Sequence, residues 1–160
     1  MKQALVVYFS ANGTTKRIAE MLAESIGAKT FEIVPKQFYT QSDLDWTNEN
    51  SRSSIEMKDR NCRPEIESRV RDLEKYDVVF LGFPIWWYRE PSIIDTFVEM
   101  HNMNEKIIVP FATSGGSGIG NVHKNISALA PKAHVERGEV FEPGVTPERL
   151  RKWAEKYLKK

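Results

Sequence analysis

The 160-residue chain reads as an α/β protein built on a doubly wound, five-stranded parallel sheet of order 2-1-3-4-5, layered α/β/α. Three observations predict this. Apolar, β-branched runs alternate with helical patterns along the chain, which is the sequence sign of βαβ units. Two of these runs end in loops rich in Gly, Ser and Thr, and a third ends in adjacent aromatics. No repeat, low-complexity tract or composition shift divides residues 1–160, so one domain is expected.

The elements follow in order. Ala4-Leu5-Val6-Val7-Tyr8-Phe9 is the first strand, and residues 14–26 place Ile18, Met21, Leu22 and Ile26 at helical spacing before a closing Gly27. Residues 29–34 alternate like a more exposed strand near an edge. Residues 35–63 break the rhythm, with Pro35, Trp46 and the charges Arg52, Glu56, Lys58, Asp59 and Arg60. A loop this long is uncommon in a compact domain and usually functional; a short helix around 51–58 is the one element expected in it. Pro64 suits the first turn of a helix over 64–74. The third strand spans 77–83, Pro91 opens a helix carrying Ile94, Phe97 and Val98, and 106–112 is the fourth strand. A helix over 118–130 follows, then a short fifth strand within 133–141, split at Arg137-Gly138. Pro147 begins a last helix with Leu150, Trp153, Ala154, Tyr157 and Leu158 on its buried face.

Bulk properties narrow the function. With 23 basic and 22 acidic residues the formal net charge is +1, so no strong field steers the chain toward nucleic acid or an acidic membrane. A single cysteine, Cys62, excludes an internal disulfide framework and fits a reducing compartment. The opening apolar run stops at Ser10, and no stretch approaches the roughly 18 apolar residues of a membrane span. A cytoplasmic protein, monomeric or weakly dimeric, is expected. His101, His123 and His134 have no metal-ligand spacing among themselves or with Cys62. The basic C-terminal helix (Arg149, Arg151, Lys152, Lys156, Lys159, Lys160) reads as a solvated face.

The chemistry lies in three loops. Ser10-Ala11-Asn12-Gly13-Thr14-Thr15 and Thr113-Ser114-Gly115-Gly116-Ser117-Gly118 each sit between a strand and a helix. Hydroxyls, glycines and free N–H groups there make an anion cradle that needs no cationic side chain. Ser and Thr also cap ordinary helices, so neither loop decides alone. The third loop, Pro84-Ile85-Trp86-Trp87-Tyr88, can hold a flat ring. Following strands one, three and four, all three gather at the carboxyl edge of the sheet's centre, where open α/β sheets bind ligands. A phosphate seat beside a ring seat reads as a nucleotide-like cofactor site.

Taken together, Tyr8-Phe9-Ser10-Ala11-Asn12-Gly13-Thr14-Thr15, Pro84-Ile85-Trp86-Trp87 and Thr113 to Gly120 resemble the flavodoxin family over essentially the whole chain, as do Asp43-Leu44-Asp45-Trp46 and Arg63-Pro64. The resemblance implies non-covalent FMN. It assigns Ser10, Asn12, Gly13, Thr14 and Thr15 to the phosphate, and Pro84, Ile85, Trp86, Trp87 and Tyr88 to the isoalloxazine. Thr113, Ser114, Gly115, Gly116, Ser117 and Gly118 would meet the ring's pyrimidine edge. Trp86 or Trp87 would stack on the ring while the other packs inward.

Two departures matter. Many flavodoxins place Gly after the aromatic of the third-strand loop, where a peptide flip bonds the half-reduced flavin; here the chain reads Trp87-Tyr88-Arg89-Glu90. A non-Gly residue at positive φ costs about 1–2 kcal/mol, so a less available flip and weaker stabilisation of the half-reduced state are expected. Residues 113–120 also lack an aromatic to cover the outer ring face, leaving Trp46, Tyr39 or Tyr88 to cover it, or an open face.

The favoured reading is an FMN electron-transfer protein working between redox partner proteins, a reductase and an acceptor, with the flavin doing the chemistry. The first alternative is an FMN-dependent NAD(P)H:quinone oxidoreductase. The second is a non-enzymatic binding module of the same topology, such as a receiver, which would need acidic residues where Ser10-Ala11-Asn12 stand.

Overall fold

The apolar run Ala4–Tyr8 forms β1, an interior strand next to the β2 edge of the sheet. It pairs in parallel with β2 (Lys29–Glu32) on one side and β3 (Val78–Pro84) on the other. Beyond β3 lie β4 (Ile107–Thr113) and β5 (His134–Val135), giving the order β2-β1-β3-β4-β5. The expected split of the last strand is present: β6 (Glu139–Val140) resumes after Arg137-Gly138 and pairs with the far end of β4. The computed structural model describes residues 1–159. Lys160, counted with the basic C-terminal helix, lies outside the described residues.

Two cores flank the sheet because consecutive strand residues point to opposite faces. Val6, Tyr8, Phe80 and Phe111 pack against α1 (Thr14–Ile26) and α5 (Pro147–Leu158). Leu5, Val7, Leu81 and Ile108 pack against α3 (Ser92–Met100) and α4 (Val122–Leu129). Burial on both faces explains why the central strands read as unbroken apolar runs. Gly27 closes α1 in the left-handed conformation, and Thr146 caps α5 by accepting from the Arg149 N–H. Among the described residues no helix is long and apolar enough to cross a membrane.

The helix expected over 64–74 does not form. Residues 64–72 run without helix to a single 3₁₀ turn at Leu73–Lys75. Their backbone is drawn into pairing with residues 34–36: Lys36 N–H donates to Glu65 O at 2.9 Å, Glu67 N–H donates to Val34 O at 2.9 Å, and Pro35 and Ile66 form an antiparallel bridge. Ile66, Val70 and Leu73 still reach the core, so their helix-like spacing marks burial rather than helix. The crossover from β2 to β3 instead carries α2 (Arg52–Lys58), started by Ser51, whose hydroxyl accepts from the Ser54 N–H. The helix expected over 118–130 begins later, at Val122.

Candidate functional site

Parallel pairing brings the three loops together. Tyr8 is in register with Gly82, and Pro84 with Thr113, so the loops leaving β1, β3 and β4 share one edge. The Ile85 N–H donates to Thr113 O at 2.8 Å, locking two of them. Two adjoining clefts open there, with Leu44, Ile85 and Trp86 common to both. The first, about 330 Å³, is lined by Asn12, Thr14, Pro84, Thr113, Ser114 and Gly115, with Ala11 and Pro143. The second, about 420 Å³, is walled by Trp46, Trp87, Tyr88, Ser53 and Ser117.

The start of α1 fits an anionic group. The N–H groups of Thr15 and Lys16 lie too early in the helix for an intrahelical partner and find no acceptor among the described residues. Thr14 Oγ1 is likewise free and lines the cleft. The N–H groups of Gly13 and Thr14 are committed to shaping the loop. Ser10 Oγ accepts from the Gly13 N–H at 3.0 Å, and Asn12 Oδ1 accepts from the Thr14 N–H at 3.1 Å. Ser10 and Gly13 therefore form the loop's frame rather than the cleft lining. Thr15 departs further from expectation: its side chain is buried and its hydroxyl is 2.8 Å from that of Thr113. In the β4 loop, Ser114 Oγ accepts from the N–H groups of Gly116 (3.1 Å) and Ser117 (2.8 Å), so it too organises backbone. Gly116 and Gly118 do not line either cleft.

The two tryptophans differ in their packing, although Trp86 also lines both clefts. Trp86 packs inward, edge-to-face against Phe9 (5.7 Å between ring centroids, 90°) and Tyr39 (5.6 Å, 75°). Trp87 is 43% exposed and faces the second cleft. Tyr39 stands behind Trp86 and is not a lid; its hydroxyl donates to Glu56, and burial pushes its pKa up. Trp46 (74% exposed) and Tyr88 (68%) complete the aromatic wall.

Trp86 and Arg89 close a two-residue hairpin by exchanging N–H···O bonds of 3.0 and 3.2 Å. Trp87 and Tyr88 at its tip have φ of 49° and 64°, the signature of a type I′ turn. The positive-φ cost of about 1–2 kcal/mol per residue is thus already carried by the resting fold. Gly120 holds the tip from the other side. At φ 61° it brings the Asn121 N–H to Tyr88 O at 3.0 Å, where a Cβ on residue 120 would lie 2.1 Å from that oxygen.

Some site residues escaped the sequence reading. Leu44 touches both clefts and Pro143 edges the first; Arg17 donates to Pro143 O at 2.6 Å. Leu44 lies in the Asp43–Trp46 stretch that carries the family resemblance, and it is an isolated aliphatic in a polar loop; both are signals of its place. The loop holding it is built on Arg52, which lies 3.8 Å from the Tyr39 ring centroid, pairs with Glu56 at 2.9 Å and donates to Gln37 O and Phe38 O. Lys16 pairs weakly with Glu32 at 3.9 Å on the surface. Burial raises the pKa of Cys62, the reverse of what a reactive thiol needs.

Fold and clefts together define a class of α/β proteins that seat a phosphate-bearing cofactor at the switch point between β1 and β3. The flavodoxin family model matches residues 3–157, and the chain belongs to that family. It is 44% identical to a candidate flavoprotein from Bacteroides eggerthii, whose crystal structure superposes with a TM-score of 0.93 over 100% of both chains. A flavoprotein from Lactobacillus acidophilus, crystallised in complex with FMN, shares the fold at 22% identity and TM-score 0.73, over 96% of this chain and 99% of that one. NAD(P)H dehydrogenase (quinone) 1 of Rattus norvegicus is 24% identical over 81% of this chain. The chain spans 61% of that relative's length.

Proposed function

We propose that this chain binds FMN without a covalent link and passes electrons between cytoplasmic redox partner proteins. The carrying observation is the pair of adjoining clefts: one ends at unpaired helix-start amides, and the other is walled by Trp46, Trp87 and Tyr88. Thr14 Oγ1 and the N–H groups of Thr15 and Lys16 would hold the phosphate, while Ser10, Asn12 and Gly13 keep the loop in shape. Trp87 and Tyr88 would lie against the isoalloxazine, with the Thr113–Gly118 backbone at its polar edge. FMN supplies reversible electron transfer when bound, and the protein supplies orientation and electrostatics. The affinity of the family for FMN, as in the Lactobacillus acidophilus complex, supports this reading.

Protein purified without added flavin is expected to be yellow and to release FMN on acid precipitation. Thr14→Leu fills the first cleft and is expected to lose the pigment while keeping its far-UV circular dichroism. Full colour in Thr14→Leu would overturn the phosphate assignment.

The similarity to the rat quinone dehydrogenase favours a second reading, an FMN-dependent NAD(P)H:quinone oxidoreductase. Residues 113–120 hold no aromatic to cover the outer ring face, which would leave it accessible to a small planar acceptor. Steady-state NADPH oxidation that requires added quinone would select this reading over protein-to-protein transfer.

A further inference from the structure

The hairpin that carries Trp87 and Tyr88 is strained at its tip and charged at its base. Arg89, which closes it, is 6% exposed, and its guanidinium is used up inside the protein. One terminal nitrogen donates to Glu90 O at 3.1 Å, and the other donates to Met57 O at 3.1 Å and Ser92 Oγ at 3.3 Å. Two carboxyls with no exposure flank it: Glu90 Oε2 at 3.8 Å and Asp95 Oδ2 at 3.6 Å. Arg60 approaches the same pair at 3.7 and 3.9 Å, and Arg63 approaches Asp95 at 3.9 Å. Glu90 Oε1 accepts from Asn125 Nδ2 at 3.2 Å. The base of the turn is therefore tied to α2, α3 and α4, and its tip to the start of α4 through Tyr88 O.

This arrangement is costly for a chain that only needs a connection from β3 to α3. Buried charges are poorly compensated by ion pairs at these separations, and hydrophobic side chains of similar volume would pack as stably. Two left-handed non-Gly residues persist only where their surroundings over-determine them. Around these two stand the Trp86–Arg89 backbone pair, the Asn121 N–H on Tyr88 O, and the charged cluster at the base.

We propose that Arg89 is the positioning residue of the ring seat: anchored to Met57, Ser92 and the Glu90–Asp95 pair, it holds Trp87 and Tyr88 in the left-handed turn that presents both rings to the cleft. It touches nothing in the cleft itself. The proposal rests on the FMN reading for its ligand, but the geometry of the turn can be tested without one.

The test is a cycle in full-length protein of Arg89→Met, Tyr88→Gly and the double variant. Glycine at position 88 adopts positive φ without a clamp. Arg89→Met in the native background is expected to weaken FMN binding on the order of tenfold to a hundredfold, the scale of a displaced supporting shell. In the Tyr88→Gly background the same change is expected to cost less than in the native background, by about threefold or more, because only Trp87 of the two left-handed positions then still needs holding. Equal losses in both backgrounds would overturn the proposal. Flavin-free protein gives the second readout. The near-UV circular dichroism assigned to Trp87, by difference from Trp87→Phe, is expected to collapse in Arg89→Met and return in the double variant. Failure of wild-type protein to bind FMN would sink the functional reading, whereas an unchanged Trp87 signal in flavin-free Arg89→Met would sink this one. Arg89→Lys keeps the charge but not the fork. Combining Arg89→Met with Glu90→Gln and Asp95→Asn leaves no buried charge unpaired, should Arg89→Met alone fail to fold. Both alternatives are expected to lose the Trp87 signal, and a native signal in either overturns the proposal.

Discussion

Thr15 Oγ1 and Thr113 Oγ1 lie 2.8 Å apart, both buried, joining the first turn of α1 to the end of β4 across 98 positions of sequence. Each had been a candidate ligand by residue type. Their mutual bond makes them a strut that sets the spacing between the helix-start amides and the β4 loop.

Removing one end of that strut leaves a buried hydroxyl without a partner, which costs about 1–3 kcal/mol. Thr15→Val is expected to lower the urea midpoint accordingly. Thr15→Val with Thr113→Val, which removes both polar ends at nearly constant shape, is expected to recover most of the loss. A Thr15→Val protein of native stability but without pigment would return Thr15 to the role of phosphate ligand.

The tryptophans should separate in two assays. Trp86 is held between Phe9 and Tyr39 and is only partly exposed, so Trp86→Ala is expected to cost about 3 kcal/mol, the lower end for a large aromatic. Trp87→Phe should leave stability within about 0.5 kcal/mol. Trp87→Ala removes the ring and is expected to weaken FMN binding roughly two- to tenfold, the worth of an aromatic contact. Denaturation curves and flavin titrations of the same variants check both. The reverse pattern would exchange the two roles.

Two buried groups give stability opposite pH dependences. Burial, then the adjacent Glu90 carboxyl, pushes Asp95 up to about 8 against the opposing pull of Arg89 and Arg60. Unfolded Asp releases its proton near pH 4. The native state thus binds more protons between these values, and the contribution of Asp95 is complete at low pH and lost as pH rises toward 8. Asp95→Asn is expected to flatten that decline between about pH 4 and 8. His101 behaves in reverse. Burial lowers its pKa, and the neutral ring accepts from the Val70 N–H at 2.9 Å while its other nitrogen lies 2.8 Å from Phe97 O. Its contribution is complete above the unfolded value near 6.5 and falls as pH drops toward the lowered folded value. Urea midpoints from pH 5 to 9 for wild type, Asp95→Asn and His101→Gln check both signs.

The hairpin geometry also bears on the half-reduced flavin. Turning over the Trp87–Tyr88 peptide would convert type I′ to type II′, whose first central position calls for Gly and here holds Trp87. A low fraction of half-reduced flavin is expected in the wild type. Trp87→Gly is expected to shift the one-electron balance at least tenfold, about 59 mV. A redox titration showing a large, stable half-reduced population in the wild type would remove this reading.

Much of the architecture was legible in the chain. The runs at 4–9, 77–83 and 106–112 became β1, β3 and β4 because strands buried on both faces must be apolar throughout, and Gly27 and Pro147 marked helix ends through backbone constraints that act locally. The convergence of the three loops followed from strand order alone. What tertiary structure decided was which polar atoms are spent on the protein itself. Residue type cannot show that Thr15 bonds Thr113 or that Ser114 bonds its own loop, because each partner is set by packing. Nor can local spacing show that Ile66, Val70 and Leu73 reach the core without a helix, since long-range pairing with residues 34–36 outweighed local preference. The left-handed turn at Trp87 and Tyr88 contradicts local propensity outright. It exists because a buried arginine, two carboxyls and the backbone beside Gly120, drawn from distant parts of the chain, hold it from both ends.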